Sequence, residues 1–598
     1  MRFSLRVLHV TSEPLTGSSA IAPDTRGWNF FEADQTLKDL LSIYLEPRLL
    51  AHMQPWLHRL GHMAANELDE AAAFADKHPP VLHPRDRFGN DLQTIEYHPA
   101  YHQLEKAAYE IFGIHAMSHK PGVMDWPTPY PAVAKHALTF LFNQVEFGLG
   151  CPINVTDSGA HVLKLFGDDA LKQRYLPRML AQNLDTLWQG AQFMTEKEGG
   201  SDVGRLTTVA RRDGDCWRIT GEKWFCSNAD GKAVLLLARP EGAAQGTRGL
   251  GLFLMPRFLE DGTPNSYRIV RLKDKLGTRS MASGECALDG ALAYQVGSLE
   301  RGFVQMAEMV NWSRLSNGVK SSALMRRACH DARAVMDGRT VFGMKLIDKP
   351  LARRQMMKIL LPSEQSMSMW CFTAAALDEA EGYGDRAPSQ EAAAVLRLAT
   401  PVMKFRITRE ARMQTGDALE MRGGIGYVED FVSPRLLRDA HLGSVWEGTS
   451  NIVALDAVTR AVRRHRCHEP YAAAVRARLE EATDLPVDFR ESLSDYFNRA
   501  VAMVTRFAEQ PEHEAGYRQA CTNLYHATSA ILMAWEANRI HALRGDARRL
   551  LFAKAVLDHR LAARDPFAPI DPASEERASY LLLRSVPVGM DEVRSLLA

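Results

Sequence analysis

Apolar residues recur at three- and four-residue spacing through most of residues 37–182, most clearly over 51–74 and 102–112, which predicts helices. Pro79-Pro80 and the cluster Pro121, Pro127, Pro129 and Pro131 are breaks between them. Ahead of this stretch, Pro14, Gly17, Pro23 and Gly27 mark extended or loop structure. The period changes near Leu187. Short runs at 217–221, 233–238, 250–255 and 267–272 have strand composition, separated by Asp213-Gly214-Asp215, Glu241-Gly242 and Asp261-Gly262-Thr263-Pro264. From Phe303 long helical patterns return, at 303–338, 351–381, 391–422 and 449–466, with Pro362 and Pro401 placed to kink or split two of them. Further helices are expected at 489–508, 521–543 and 548–563. The predicted fold class is mainly α with a central β domain. Its units are an N-terminal helical domain (1–186), the β domain (187–298), a helical bundle (299–466) and a C-terminal helical extension (467–598).

Composition narrows the function classes. The 598 residues are 46% hydrophobic and 24% charged, ordinary values for a globular chain. Lys+Arg and Asp+Glu both number 72, so no global field exists to hold nucleic acid or anionic lipid. No apolar stretch reaches the ~18 residues of a membrane span; the richest, 137–150, is interrupted by Asn143, Gln144 and Glu146. The start, Met1-Arg2-Phe3-Ser4-Leu5-Arg6, lacks the apolar core of a secretory signal. Eight scattered cysteines without CxxC spacing fit free thiols and a cytoplasmic setting.

Four segments could carry chemistry, and each also has an ordinary structural reading. Thr195-Glu196-Lys197-Glu198-Gly199-Gly200-Ser201-Asp202 offers backbone N–H groups and hydroxyls to an anionic or heterocyclic cofactor, or simply a turn opening the β domain. It lacks GxGxxG, so a Rossmann mode is not indicated. Gly221-Glu222-Lys223-Trp224-Phe225-Cys226-Ser227-Asn228 could wall a flat ring, or pack its aromatics into a core. Glu420-Met421-Arg422-Gly423-Gly424 ends a helix, where glycines supply left-handed geometry. Trp446-Glu447-Gly448-Thr449-Ser450-Asn451 places a carboxylate ahead of a helix capped by Thr449 or Ser450. The positive helix end and an apolar pocket would tune Glu447 as a base, and a capping glutamate is the plain alternative. His98 and His102 have no third ligand at metal spacing, so no metal is expected. The basic run Arg460, Arg463, Arg464, Arg466 suits a helix end.

Taken in order, these segments resemble the acyl-CoA dehydrogenase family over about residues 100–465. The resemblance runs through Thr195, Glu196, Gly200, Ser201 and Asp202; Gly221-Glu222-Lys223; Lys275-Leu276-Gly277 with Arg279; Arg339 with Phe342-Gly343; Gly423-Gly424-Ile425-Gly426; Arg438-Asp439; and Glu447-Gly448-Thr449-Ser450. The wording at His98-Pro99-Ala100-Tyr101-His102, Met194-Thr195-Glu196-Lys197, Arg271–Gly277, Trp446-Glu447-Gly448 and Glu420 is close to the AidB-type, alkylation-response branch.

The resemblance implies a helical domain, a β-barrel-like domain and a four-helix bundle, with FAD between the last two. It implies that Met194, Thr195 and Ser201 touch the flavin or its pyrophosphate, that Phe225 and Ser227 line the ring, and that Thr449 and Asn451 lie near the adenosine. Arg339, Phe342, Glu420 and Gly424 would reach FAD of a neighbouring subunit, in a homotetramer. Glu420 departs from the family's usual Gln, which weakens that one contact. Glu447 matches the base that takes the α-proton of an acyl-CoA as the β-hydrogen leaves as hydride, with Trp446, Gly448 and Arg314 bordering the substrate. Some relatives carry the base near Ser313-Arg314, where Ser313 cannot serve. An electron-transfer flavoprotein would accept the electrons. The AidB-type branch implies an alternative: a flavoprotein that binds duplex DNA and limits alkylation damage, with little dehydrogenase activity. Arginines at the domain junction and at Arg544, Arg548 and Arg549 would contact the phosphates.

Overall fold

The computed structural model describes residues 23–384, 386–567 and 571–597. The expectations for Met1–Arg6, Pro14 and Gly17 lie outside them. Three helices open the fold: α1 (Gln35–Tyr44), α2 (Pro47–Ala65) and α3 (Glu67–Lys77). Asp34 caps α1, its carboxylate accepting from Leu37 N at 2.9 Å. A hairpin, β1 (Val81–Arg85) and β2 (Asp91–Glu96), follows, then α4 (Pro99–Glu105), α5 (Ala132–Asn143), α6 (Gly150–Phe166) and α7 (Asp169–Met179). The hairpin departs from the mostly helical expectation for this stretch. Its strands are mostly exposed, so no buried face imprints a period on the sequence.

The β unit contains β3 (Gly190–Phe193), β4 (Val209–Asp213), β5 (Cys216–Ser227), β6 (Ala233–Pro240), β7 (Gly251–Pro256), β8 (Tyr267–Leu272) and β9 (Ser283–Gln295). Pairings β4–β5, β5–β9, β9–β7, β7–β6 and β6–β4 close on themselves, so the sheet is a barrel. Phe193, Trp217, Ile219, Leu236 and Phe253 are among the side chains of its core, separate from the main one. β9 is the longest strand and was not expected. Gly284, Ala287, Gly290, Ala291 and Ala293 lack the bulk that marks a strand, yet they let β9 bend to pair with β5, β7 and β8.

The bundle is built on α8 (Gly302–Gly338), α9 (Pro350–Glu381) and α10 (Gln390–Met421), which pack on one another, with α11 (Val432–Gly443) against α8 and α10. Pro362 and Pro401 neither split nor end their helices. Both are buried, and packing from neighbouring helices outweighs the one hydrogen bond each ring removes. A short hairpin, β10 (Thr340–Val341) and β11 (Met344–Lys345), joins α8 to α9. The helix expected at 449–466 is α12 (Ser450–Leu455), which widens into π-helical turns over Asp456–Arg464. The extension comprises α13 (His468–Glu481), α14 (Val487–Glu509), α15 (Tyr517–Arg544), α16 (Arg549–Val556), α17 (Pro572–Leu583) and α18 (Met590–Leu597); α13 packs on α10 and α15 on α9. One continuous core runs through the N-terminal helices, bundle and extension. Among the described residues no helix is long and apolar enough to cross a membrane.

α8 is enclosed on nearly every face, and polar residues sit at positions that would ordinarily be apolar. Arg314, Asn317, Lys320, Arg326 and Arg327 are all at most 7% exposed. Each must find its partners inside the protein, and Arg314 and Asn317 find them at one turn.

Candidate active site

Glu447 lies in the turn between α11 and α12, with φ +51°, followed by Gly448 at φ +94°. Non-glycine residues resist this left-handed conformation, so the surroundings must hold it. Three consecutive carbonyls are gripped by buried cations. Lys404 of α10 donates from Nζ to Trp446 O at 2.9 Å and to Gly448 O at 2.6 Å. Arg314 of α8 donates from Nε to Glu447 O at 3.1 Å, while its Nη1 binds Asp456 at 2.6 Å. Asp456 also receives Arg397 at 2.7 Å.

Glu447 as a residue is half-buried. Its Oε2 accepts from Asn317 Nδ2 at 2.7 Å, and the same amide donates to Gly443 O at 2.9 Å. Lys320 stands over the Trp446 ring at 4.7 Å, and that ring stacks on Phe147 at 5.4 Å. Burial pushes the Glu447 carboxyl above its ordinary range, and Lys320, Lys404 and Arg314 pull it down. The pocket is therefore cationic rather than the apolar one expected from sequence. Thr449 occupies the N-cap position, but its side chain makes no capping bond.

The other candidates fall into two groups. Met194, Thr195, Phe225 and Ser227 share one rim of the barrel: Gln192 pairs with Ser227, and Trp224 N donates to Thr195 O at 2.9 Å. Phe225 is 54% exposed, with the Lys273 ammonium 4.6 Å from its ring. Burial pushes the Cys151 thiol of α6 up to about 11, and Lys320, Glu447 and Ser227 are all close enough to act on it. Within the same motifs Glu196 and Lys223 serve the fold: their ion pair is 2.7 Å long and buried in the barrel, where Thr207 N also donates to Glu196 at 2.6 Å. Ser201 lies exposed on the loop after β3.

The second group stands at the C-terminal end of α8. Arg339 meets the Arg422 carbonyl at 3.5 Å and lies beside Gly423. Phe342 and Gly343 both have positive φ at the hairpin tip, the geometry of a type I′ turn, and hold the Phe342 ring 97% exposed. Glu420 is exposed, and Gly424 faces open space. Arg339 follows Asn317 by 22 positions, roughly 33 Å at the helical rise.

Several expected contacts are redirected inward. Arg314 is 7% exposed behind the turn. Asn451 accepts from Arg518 at 3.3 Å. Among the arginines suggested for phosphates, Arg549 is 5% exposed and bound to Glu364 and Glu536, so it cannot reach a duplex. Arg544 pairs with Asp39, Arg466 with Glu469, Arg548 donates to the Arg584 and Val586 carbonyls, and Arg463 to Ala508 O and the Tyr517 hydroxyl. His98 caps α4 through Ala100 N and His102 pairs with Glu105. Among the described residues no three His, Cys, Asp or Glu side chains gather as a metal site. Sequence reasoning missed Asn317, Lys320 and Lys404. Their one signal was polarity at core positions of α8 and α10.

Residues 21–186 match the family model described as the adaptive response protein AidB N-terminal domain. Residues 191–291 and 300–462 match the acyl-CoA dehydrogenase middle and C-terminal domains. The chain is 34% identical over 461 residues to the putative acyl-CoA dehydrogenase AidB of Escherichia coli (strain K12), covering 75% of this chain and 79% of that one. This chain belongs to the acyl-CoA dehydrogenase family. It is also 33% identical over 433 residues to acyl-CoA dehydrogenase family member 11 of Caenorhabditis elegans, covering 71% of this chain and 68% of that one. The crystal structure of Caenorhabditis elegans ACDH-11 in complex with C11-CoA superposes with a TM-score of 0.83 at 26% identity, over 94% of this chain and 96% of that one. An acyl-CoA dehydrogenase from Bacillus anthracis complexed with FAD shares the fold, with a TM-score of 0.69 at 15% identity, over 96% and 98%. The mainly α fold with its central β domain is thus the acyl-CoA dehydrogenase fold with a C-terminal helical extension.

Proposed function

We propose that this family member is an FAD-dependent dehydrogenase of acyl-CoA thioesters, with Glu447 as the base. The observation that carries the reading is Glu447 itself, half-buried in a turn that two cations grip, with its carboxylate anchored by Asn317 at 2.7 Å. The rim fits a flavin: an exposed aromatic and the Thr195 and Ser227 hydroxyls flank one opening. Met194, Thr195, Ser201, Phe225 and Ser227 would hold the cofactor, and Arg339, Phe342, Glu420 and Gly424 would hold that of a second copy. FAD, when bound, supplies the acceptor for the hydride leaving the β-carbon. Glu447 takes the α-proton onto a carboxylate oxygen. Asn317 and the gripped turn fix that oxygen in place. The named relatives support the substrate class, since one is bound to C11-CoA in its structure.

Glu447→Gln keeps the shape and the Asn317 contact but cannot accept a proton. It is expected to retain FAD and slow flavin reduction by acyl-CoAs roughly 10²–10⁴-fold. Anaerobic bleaching of the flavin by a panel of acyl-CoAs of graded length and branching measures this. Equal rates in variant and wild type would remove Glu447 as the base; no bleaching by any acyl-CoA in wild type would remove the dehydrogenase reading.

A further inference from the structure

A buried lysine ordinarily faces a carboxylate or loses its proton. Lys404 is 1% exposed and Lys320 is fully buried, yet among the described residues neither ammonium lies within ion-pair distance of an acid. Lys404 donates instead to the carbonyls on either side of Glu447. Lys320 has one long contact, to Gly150 O at 3.4 Å. We propose that Lys404 is the positioning residue of Glu447, and that Lys404 and Lys320 together draw its carboxylate toward the ionised form that accepts the substrate proton. The inference deepens the dehydrogenase reading and rests on it.

The charges facing the carboxylate come from four directions. α8 supplies Arg314 and Lys320, with the neutral Asn317; α10 supplies Lys404, with Arg397 behind it; the segment after α12 supplies Asp456; α6 supplies the Cys151 thiol. Asp456 pairs with Arg314 and Arg397, which leaves the two lysines as the amines without an acid partner. Burial pushes both down, Lys404 to about 7, and Glu447 pulls both back up; burial likewise pushes Glu447 up, and the two lysines pull it back down. Lys404 has a second task that Lys320 lacks. By bridging Trp446 O and Gly448 O it holds the left-handed backbone at Glu447, which aims the carboxylate.

The test uses the FAD-loaded protein. The Glu447 carboxyl is titrated by infrared difference spectroscopy, its band identified by disappearance in Glu447→Gln. Lys404→Met, of similar shape but without charge or donor, is expected to move the midpoint upward by roughly one to three pH units. Lys320→Met, which leaves both carbonyl contacts in place, should move it in the same direction. The acid limb of flavin reduction by isovaleryl-CoA or octanoyl-CoA should follow, because the base works only when ionised. A folded, flavin-loaded Lys404→Met protein with an unchanged midpoint overturns the proposal. Should that variant not fold, an unchanged midpoint in Lys320→Met overturns it equally. If neither acyl-CoA reduces the wild-type flavin, it is the dehydrogenase reading that falters, and the infrared midpoint still decides the role of the lysines.

Discussion

At the scale of single residues, the family motifs mix two kinds of work that sequence could not separate. Glu196 and Glu447 both stand in motif segments, but Glu196 is buried in an ion pair with Lys223, whereas Glu447 is half-buried and its carboxylate accepts from the neutral Asn317. Gly277 and Arg438-Asp439 lie far apart in the chain and meet in the fold. A Cβ on Gly277 would stand 2.6 Å from Asp439 Oδ1 and 2.8 Å from the Arg438 backbone, which explains the glycine. Thr278 N donates to Asp439 at 2.6 Å. Burial, aided by Asp76, pushes the Asp439 carboxyl up from 3.8 to about 7. The native protein therefore keeps this proton after the unfolded chain has lost it. Asp439 costs increasing stability as pH rises from about 4 to about 7. Asp439→Asn keeps an acceptor for Thr278 and cannot ionise. Its urea midpoint relative to wild type is expected to improve steadily across that window. A constant difference would show that Asp439 ionises normally in the folded protein.

At the scale of elements, legibility followed the environment of each face. Helices with one solvent side and strands such as β6 and β8 announced themselves by period and composition. The hairpin β1–β2 did not, being exposed on both faces, nor did the alanine- and glycine-rich β9. Buried helices hid their chemistry differently: α8, α9 and α10 carry polar residues on faces that contact other helices, so no hydrophobic stripe tells in from out. One such set ties four elements together. Arg326 of α8 binds Asp34 ahead of α1 and Glu364 of α9, while Arg549 of α16 binds Glu364 and Glu536 of α15. No local pattern could have paired residues this distant. Removing Arg549 strands the buried Glu536 and leaves Glu364 to Arg326 alone, so Arg549→Ala should destabilise the protein by about 3–5 kcal/mol. Chemical denaturation at neutral pH measures it. A loss under about 1 kcal/mol, the worth of an exposed pair, would mean that water enters the junction.

At the scale of the whole molecule, charge and apolar surface point to different partners. Cations and acids from Arg460 onward nearly balance, and most arginines suggested for phosphate contact are held within the chain. The end of the bundle is another matter. Phe342, Leu351 and Tyr427 are each more than four-fifths exposed there, close to Arg339 and the open glycines at 423 and 424. These candidates stand roughly 33 Å along α8 from Asn317, which holds the base. On the proposed reading two copies would exchange them: the Arg339 end of one would reach the barrel rim of the other, and the exposed rings would be covered in the process. FAD affinity and self-association then become one property. Arg339→Glu reverses a charge where a pyrophosphate would lie, at a guanidinium whose contact in the chain is a 3.5 Å bond to a carbonyl. It is expected to lower FAD occupancy and shift sedimentation toward smaller species together, with added FAD partly restoring both. Full occupancy with unchanged sedimentation would place Arg339 outside any shared site, and loss of FAD without change in assembly would confine the cofactor to one chain.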